Sequence, residues 1–337
     1  MKIKILFLVS VLAFSFHVEG QHYFYNDNYL DNPITFEAGI SVGPMNSLTD
    51  VGGRSGRGTA GPKDLNLKST MPYGSIYVDA IYNHFLAFRI EATAGSVKSN
   101  DSLLAPVKKS GAIGRYTRNL SFRSPIYEVS FTAEFHPIEF FHNFDPEAYP
   151  SALSPYLIGG VGYFHFNPQA LLNGQWIDLQ PLHTEGEGFA EYPDRKVYKL
   201  NQFNVPLGVG LSFELSPKFN LRLEYIERHL FTDYLDDVHS RYIDPSLFPK
   251  YLSGAQLTNA LILNNRGRAD ALPSETTAHP GGIRGNPLNN DSYFTVNFKV
   301  GFVFGRENIS GGGDNGGGRS GRYGRNAKRQ LKCPRLF

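Results

Sequence analysis

The sequence predicts an all-β fold: an eight-stranded antiparallel up-and-down transmembrane barrel with long extracellular loops. Three observations carry this. The segment YFTVNFKVGFVFGR, from Tyr293 to Arg306, alternates strictly, with Phe294, Val296, Phe298, Val300, Phe302 and Phe304 on one face and Thr295, Asn297, Lys299 and Gly301 on the other. Such alternation over about ten residues is the length of a tilted strand crossing a bilayer. The same pattern recurs upstream, and the chain opens with an export signal.

That signal occupies residues 1–20. Lys2 and Lys4 supply the positive region, residues 5–16 the apolar core, and Val18 and Gly20 precede a cut ahead of Gln21. The apolar run is too short to span as a helix. A protein delivered to a membrane without membrane helices must close into a barrel, because only helices and barrels satisfy every backbone group in lipid. The expected location is the outer membrane.

Seven further strands are predicted from alternation, at residues 34–42, 74–82, 85–97, 125–135, 156–166, 202–215 and from 219 onward. The strand at 156–166 (YLIGGVGYFHF) alternates least cleanly. Tight turns at Asn83–His84 and around Ser216, Pro217 and Lys218, with a moderate link at 136–155, contrast with long connections at 43–72, 98–124, 167–201 and 232–291. Short periplasmic turns and long extracellular loops are the outer-membrane pattern, and both termini then lie in the periplasm. Phe36, Tyr82, Phe88, Phe135, Phe213, Phe219 and Phe304 fall near the short-turn ends as an aromatic girdle. The alternative is a secreted soluble barrel or sandwich with its apolar face inward, since alternation alone does not separate inside from outside. Glycine on the polar face (Gly39, Gly208, Gly210, Gly301) favours a crowded polar interior.

Length and composition agree: 337 residues suit one barrel over residues 21–306, and 14% aromatics with 35 glycines suit turn-rich β-structure. A net charge of +2 gives no nucleic-acid signal, and the single cysteine, Cys333, excludes an internal disulfide or a cysteine-based zinc site. After Arg306 the chain turns glycine-rich and then basic, so residues 307–337 are expected to form a flexible periplasmic tail.

The polar faces carry Glu37, Asp79, Arg89, Glu91, Glu128, Glu134, Glu214, Arg222, Glu224 and Lys299. An eight-stranded barrel has room only for side chains, so charges of both signs must pair. A salt-bridged plug is the expectation; a narrow ion path is the alternative. Nothing in the spacing isolates a catalytic pair, and no HExxH or GxSxG is present, so no enzyme, cofactor or small-molecule substrate is expected. The acidic segment with Asp233, Asp236, Asp237 and Asp244 departs from an EF-hand and lacks its glycine, so local pairing with Arg228, Arg241 or His229 is expected over calcium. GGRSGRG at 52–58 lacks the Gly-Lys-Ser/Thr of a phosphate loop and reads as a surface loop. In the tail, Arg319, Arg322, Arg325, Lys328, Arg329, Lys332 and Arg335 stand against one acid, Asp314. Either they are a fringe at anionic head groups or they dock an acidic partner, with Cys333 available to pair with another protein's cysteine.

The single barrel, TDYLDDV at 232–238 and the terminal KCPRLF together resemble the PorG-like outer-membrane proteins of the type IX secretion system, over essentially the whole mature chain. The resemblance implies a non-enzymatic component that associates with the periplasmic ring of the secretion apparatus and links it to the outer membrane. Candidate contacts are Arg322, Arg325, Lys328, Arg329 and Cys333, with the link at 140–149. The runner-up function is a surface binding protein that uses its long loops. Residues 244–290 carry no assignable pattern.

Overall fold

The computed structural model describes residues 29–52, 67–104, 110–144, 151–268 and 278–308. The expected signal peptide, the glycine-rich loop at 53–58, residues 145–149 of the link at 140–149 and the basic tail, with Arg322, Arg325, Lys328, Arg329 and Cys333, lie outside the described residues.

Ten strands are present among the described residues: β1 (Tyr29–Leu48), β2 (Met71–Tyr82), β3 (Leu86–Asn100), β4 (Ser121–Phe135), β5 (Leu153–Phe166), β6 (Gln169–Leu172), β7 (Gln175–Asp178), β8 (Asn201–Ser216), β9 (Phe219–Leu230) and β10 (Ser292–Asn308). Eight of them close an antiparallel barrel. Each pairs with its neighbour in the order β3-β2-β1-β10-β9-β8-β5-β4, and the β3–β4 pairing seals the ring. The small hairpin β6–β7 is the addition; β6 continues the sheet beyond β4. Its Asn173-Gly174 turn has φ of 50° and 82°, the double positive φ that a two-residue hairpin of matching twist requires. The β2–β3 turn has the same geometry at Asn83 (45°) and His84 (63°), with Phe85 N–H donating to the Tyr82 carbonyl at 3.2 Å.

Alternation sorts the wall into two faces. Ile40, Ile76, Ile90, Val129, Val161, Val209 and Phe298 point outward and are each more than half exposed. No soluble surface presents a continuous apolar belt of this kind, so the barrel spans a membrane by its strands and its apolar face meets lipid. It is an outer-membrane barrel in type: eight antiparallel strands, short turns at one end and long loops at the other. Among the described residues no helix is long and apolar enough to cross a membrane.

Inside, the glycines leave room for large polar side chains. A Cβ at Gly39 would meet Tyr77, one at Gly210 the Tyr156 ring, one at Gly301 the Glu37 carboxylate, and one at Gly208 the backbone of the neighbouring strand.

At the short-turn end, Phe36, Tyr82, Phe88, Phe135, Phe219 and Phe304 all lie on the outer face. Helix α1 (Ser110–Arg118) belongs to the opposite, long-loop end, whereas α2 (Pro137–His142) follows β4 at the short-turn end. Phe140 of α2 packs against Phe85 and Phe135, with ring centroids 5.5 and 5.6 Å away. Phe141 and Phe144 stay about two-thirds exposed.

The described parts of the long connections are folded, and this corrects the view of 244–290 as patternless. That loop contains α3 (Phe248–Tyr251) and α4 (Gly254–Asn264). Together with the β6–β7 hairpin they enclose an apolar core of their own, built on Leu179, Leu182, Phe189, Phe248 and Leu263. The barrel thus carries a cap.

Candidate functional site

The lumen is filled in two layers. Four cations meet six carboxylates, all but the Arg228–Glu128 pair in the lower layer. Arg89 on β3 donates to Asp79 at 2.9 Å and to Glu224 at 2.7 Å, and pairs with Glu134. Arg222 on β9 bridges Glu37 at 2.8 Å, Asp79 at 3.1 Å and Glu134 at 2.7 Å. Lys299 on β10 reaches Glu91 at 2.5 Å and Glu224 at 3.2 Å. Arg228 pairs with Glu128 at 3.1 Å. All ten side chains are buried.

The carboxylates outnumber the cations, and neutral donors fill the remaining lone pairs. Tyr77 donates to Glu37 at 2.7 Å, Tyr156 to Glu224 at 2.6 Å, Asn297 to Glu224 at 2.9 Å and Tyr293 to Glu128 at 3.0 Å. Each of these residues faces inward because its strand alternates, and the antiparallel register sets Asp79 opposite Arg89 and Lys299 opposite Arg222, while Arg228 and Glu128 stand higher, opposite Tyr293 and Phe164. Charges withdrawn from water are held only when so paired. Glu214 sits apart at the short-turn mouth, where Arg306 donates to it at 2.6 Å.

The upper layer is apolar. Met45, Tyr73, Val97, Phe122, Ile126, Phe164 and Phe166 point inward near the long-loop end. They explain why residues 156–166 alternate poorly: β5 crosses from the ion-paired layer into the apolar one, so Phe164 and Phe166 face inward while Leu157, Val161 and Tyr163 face lipid. Leu235 and Val238, from the cap, complete this cluster.

Those two residues belong to TDYLDDV, which joins the cap to the barrel. Asp236 accepts from the Val51 and Val238 amides at 2.9 and 3.0 Å. Asp237 accepts from Thr184 at 2.6 Å and Tyr198 at 2.7 Å, with the Arg284 guanidinium 3.7 Å away. The Leu235 amide donates to Asp291 at 2.9 Å, and His239 contacts Asp233 at 2.8 Å. Glu185 lies beneath, accepting from Arg284 at 2.9 Å and from the Ser240 amide and hydroxyl at 2.7 Å each. Asp101 ties in the β3–β4 loop through Arg118 at 2.8 Å and the Gly52 amide at 2.8 Å. All four long loops therefore meet at one knot.

The partners differ from those expected for these acids. Arg228 is committed to Glu128 in the lumen, Arg241 donates to the Gly281 carbonyl at 2.9 Å, and Asp244 caps the turn at Ser246. Sequence neighbours lost to distant ones because the loops fold back over the barrel mouth. The residues that sequence reasoning missed, Glu185, Arg284 and Asp291, sit in connections without periodicity. The β6–β7 hairpin was findable, since Asn-Gly between Leu171-Leu172 and the nearby Trp176-Ile177 is a strong hairpin signal.

Burial shapes the acidity of the knot. It raises the Asp236 carboxyl to about 8, helped by the nearby Asp50, and Glu187 to about 8, helped by Asp237 and Glu185. Asp237 rises less, to about 6, because Arg284 opposes the burial.

Comparison with known proteins gives a family and a general likeness. No curated protein matches the sequence. Among solved structures, the chain is similar to Ail, the attachment invasion locus protein of Yersinia pestis solved with the heparin analogue sucrose octasulfate, at 12% identity over 80% of this chain and 99% of that one, with a TM-score of 0.33. It is similar to Neisserial surface protein A at 10% identity over 82% and 99%, with a TM-score of 0.35. A major outer membrane protein from Thermus thermophilus matches at 11% identity over 81% and 100%, with a TM-score of 0.32. At this level no residue role carries over. A family profile, described as a domain of unknown function (DUF6089), matches residues 24–244. That segment is more than half of the sequence and takes in the first seven barrel strands and TDYLDDV, and the chain belongs to this family.

Proposed function

We propose that this protein is a non-enzymatic outer-membrane anchor or assembly component of a protein secretion machine of the type IX kind, contacting its periplasmic ring through the short-turn face and the basic tail. One observation carries the scaffold part of this reading: the lumen is filled from the ion-paired layer through the apolar layer to the cap, so the barrel works by its faces and not by a pore. The secretion part rests on the resemblance carried by TDYLDDV and KCPRLF. Arg322, Arg325, Lys328, Arg329 and Cys333 are the proposed tail contacts. Phe141 and Phe144, within the link at 140–149 and exposed at the short-turn end, add an apolar patch to the same face.

The test is a crosslinking pull-down from intact outer membranes, comparing the native chain with a form that lacks the residues after 309, Cys333 included. Periplasmic ring proteins that co-purify with the native chain and vanish with the altered one support the tether. A barrel that comes down alone in both overturns it.

A second reading is favoured by the cap. A surface binding protein needs a rigid outer face, and the cap has its own core and a knot that fixes its loops. Native secretion with altered surface binding after cap deletion supports that reading.

A further inference from the structure

The lipid-facing wall is not uniform. Gly74 on β2 and Ala92 and Ala94 on β3 are small, and taller neighbours flank them: Ile76 on one side, Tyr127 and Tyr163 on the other. The result is an open apolar groove of about 690 Å³ running along the barrel wall. Its upper rim is polar, where His165 stacks near Tyr127 and contacts Asn201 at 2.9 Å.

Above the groove, on the same outer face, Lys98 of β3 lies directly opposite Arg123 of β4. Like charges at a cross-strand pair repel, and an anion between them relieves the repulsion. Among the described residues no carboxylate contacts either one. Arg123 instead donates to Gln169 at 2.8 Å and lies under the Trp176 ring at 4.0 Å, so the β6–β7 hairpin holds its guanidinium in place.

The height of the pair is also defined. Lys98 lies ten residues above Phe88, a member of the short-turn aromatic girdle, and about ten residues is one bilayer crossing for a tilted strand. The two cations therefore sit at head-group level of the outer leaflet, and the groove below them lies at acyl-chain depth.

We propose that this groove and cation pair form a specific site for a phosphate-bearing glycolipid of the outer leaflet: one acyl chain lies along Gly74, Ala92 and Ala94, and a phosphate bridges Lys98 and Arg123. The charge complementarity selects an anionic head group. The groove directly beneath selects a lipid over a free anion. The proposal depends on the long loops facing out of the cell and is independent of the secretion role.

The test uses the full chain folded into phosphatidylcholine nanodiscs, titrated with a fluorescent diphosphoryl lipid A and with its dephosphorylated counterpart. Lys98→Gln combined with Arg123→Gln is expected to weaken binding of the phosphorylated lipid by about tenfold or more, the worth of a charge-assisted hydrogen bond, and to leave the dephosphorylated lipid unchanged. Ala92→Leu with Ala94→Leu fills the groove while keeping the face apolar, and is expected to weaken both lipids. Millimolar inorganic phosphate is expected not to displace either. Each variant is first checked for the gel shift of a folded barrel. Native affinity in both variants means annular lipid only and overturns the proposal. Displacement by inorganic phosphate, with the groove variant binding as native, means a bare anion site and overturns it as well.

Discussion

Arg89 reaches three carboxylates on three other strands, Asp79 on β2, Glu134 on β4 and Glu224 on β9, with Glu91 of its own strand 3.7 Å away. Removing it leaves all three in a buried space with one fewer cation. Arg89→Met is therefore expected to destabilise the barrel by about 3–5 kcal/mol, the cost of breaking a buried ion network from one side. Urea titration of the heat-modifiable band in lipid vesicles measures this, and an unchanged midpoint contradicts the network's role. Gly210 is a test of a different kind. A methyl group there meets the buried Tyr156 ring, so Gly210→Ala is expected to cost about 1–3 kcal/mol by overpacking. The same titration reads it.

The acids of the knot add a pH dependence with a definite sign. Asp236 and Glu187 are held up to about 8 in the fold, whereas unfolded carboxyls titrate near 4. Below pH ~4 both states are protonated and the contribution to stability is complete. As pH rises from there the unfolded chain releases its protons first, so stability falls until the folded groups ionise near 8. The cap amides around 179–200 and 233–243 should therefore exchange hydrogen faster at pH 9 than at pH 6, after correction for intrinsic rates, while the strands stay protected. Equal or slower exchange at pH 9 contradicts the burial of these acids in protonated form.

Among the elements, TDYLDDV acts as a clasp. Asp237→Ala leaves Thr184 and Tyr198 without their acceptor and takes a carboxylate from beside Arg284, and the loss of one such partner costs about 1–3 kcal/mol. Loosening is expected in the β5–β8 loop, read as new protease cleavage between 179 and 200, with the barrel intact. Cleavage confined to other loops contradicts the clasp.

This scale also explains what the sequence made legible. All eight barrel strands are visible because each exposes one face to lipid and one to charge, which forces period-two alternation on the residues. Where both faces are apolar, as at Phe164 and Phe166 against Val161 and Tyr163, alternation fades although the strand persists. The lumen residues could be named, but not their pairing, since the register that sets Asp79 opposite Arg89 is a property of the closed sheet. The cap was illegible because its stability comes from contacts between loops far apart in the chain, such as Glu185 with Arg284, which leave no local period.

At the scale of the whole molecule, three layers stack along one axis: a short-turn face with exposed phenylalanines, a barrel filled by ion pairs below and aromatic and aliphatic side chains above, and a folded cap. The barrel and the cap each have a buried set of side chains, and Leu235 and Val238 join the two. A structure so filled suits holding and docking better than transport. The direct check is conductance of the full chain in a planar bilayer. The account predicts a flat baseline at moderate voltage, also after the residues beyond 309 are removed. Stable, reproducible conductance steps from the folded barrel would show an open path through the ion-paired layer and would contradict the central claim that this barrel is a sealed scaffold.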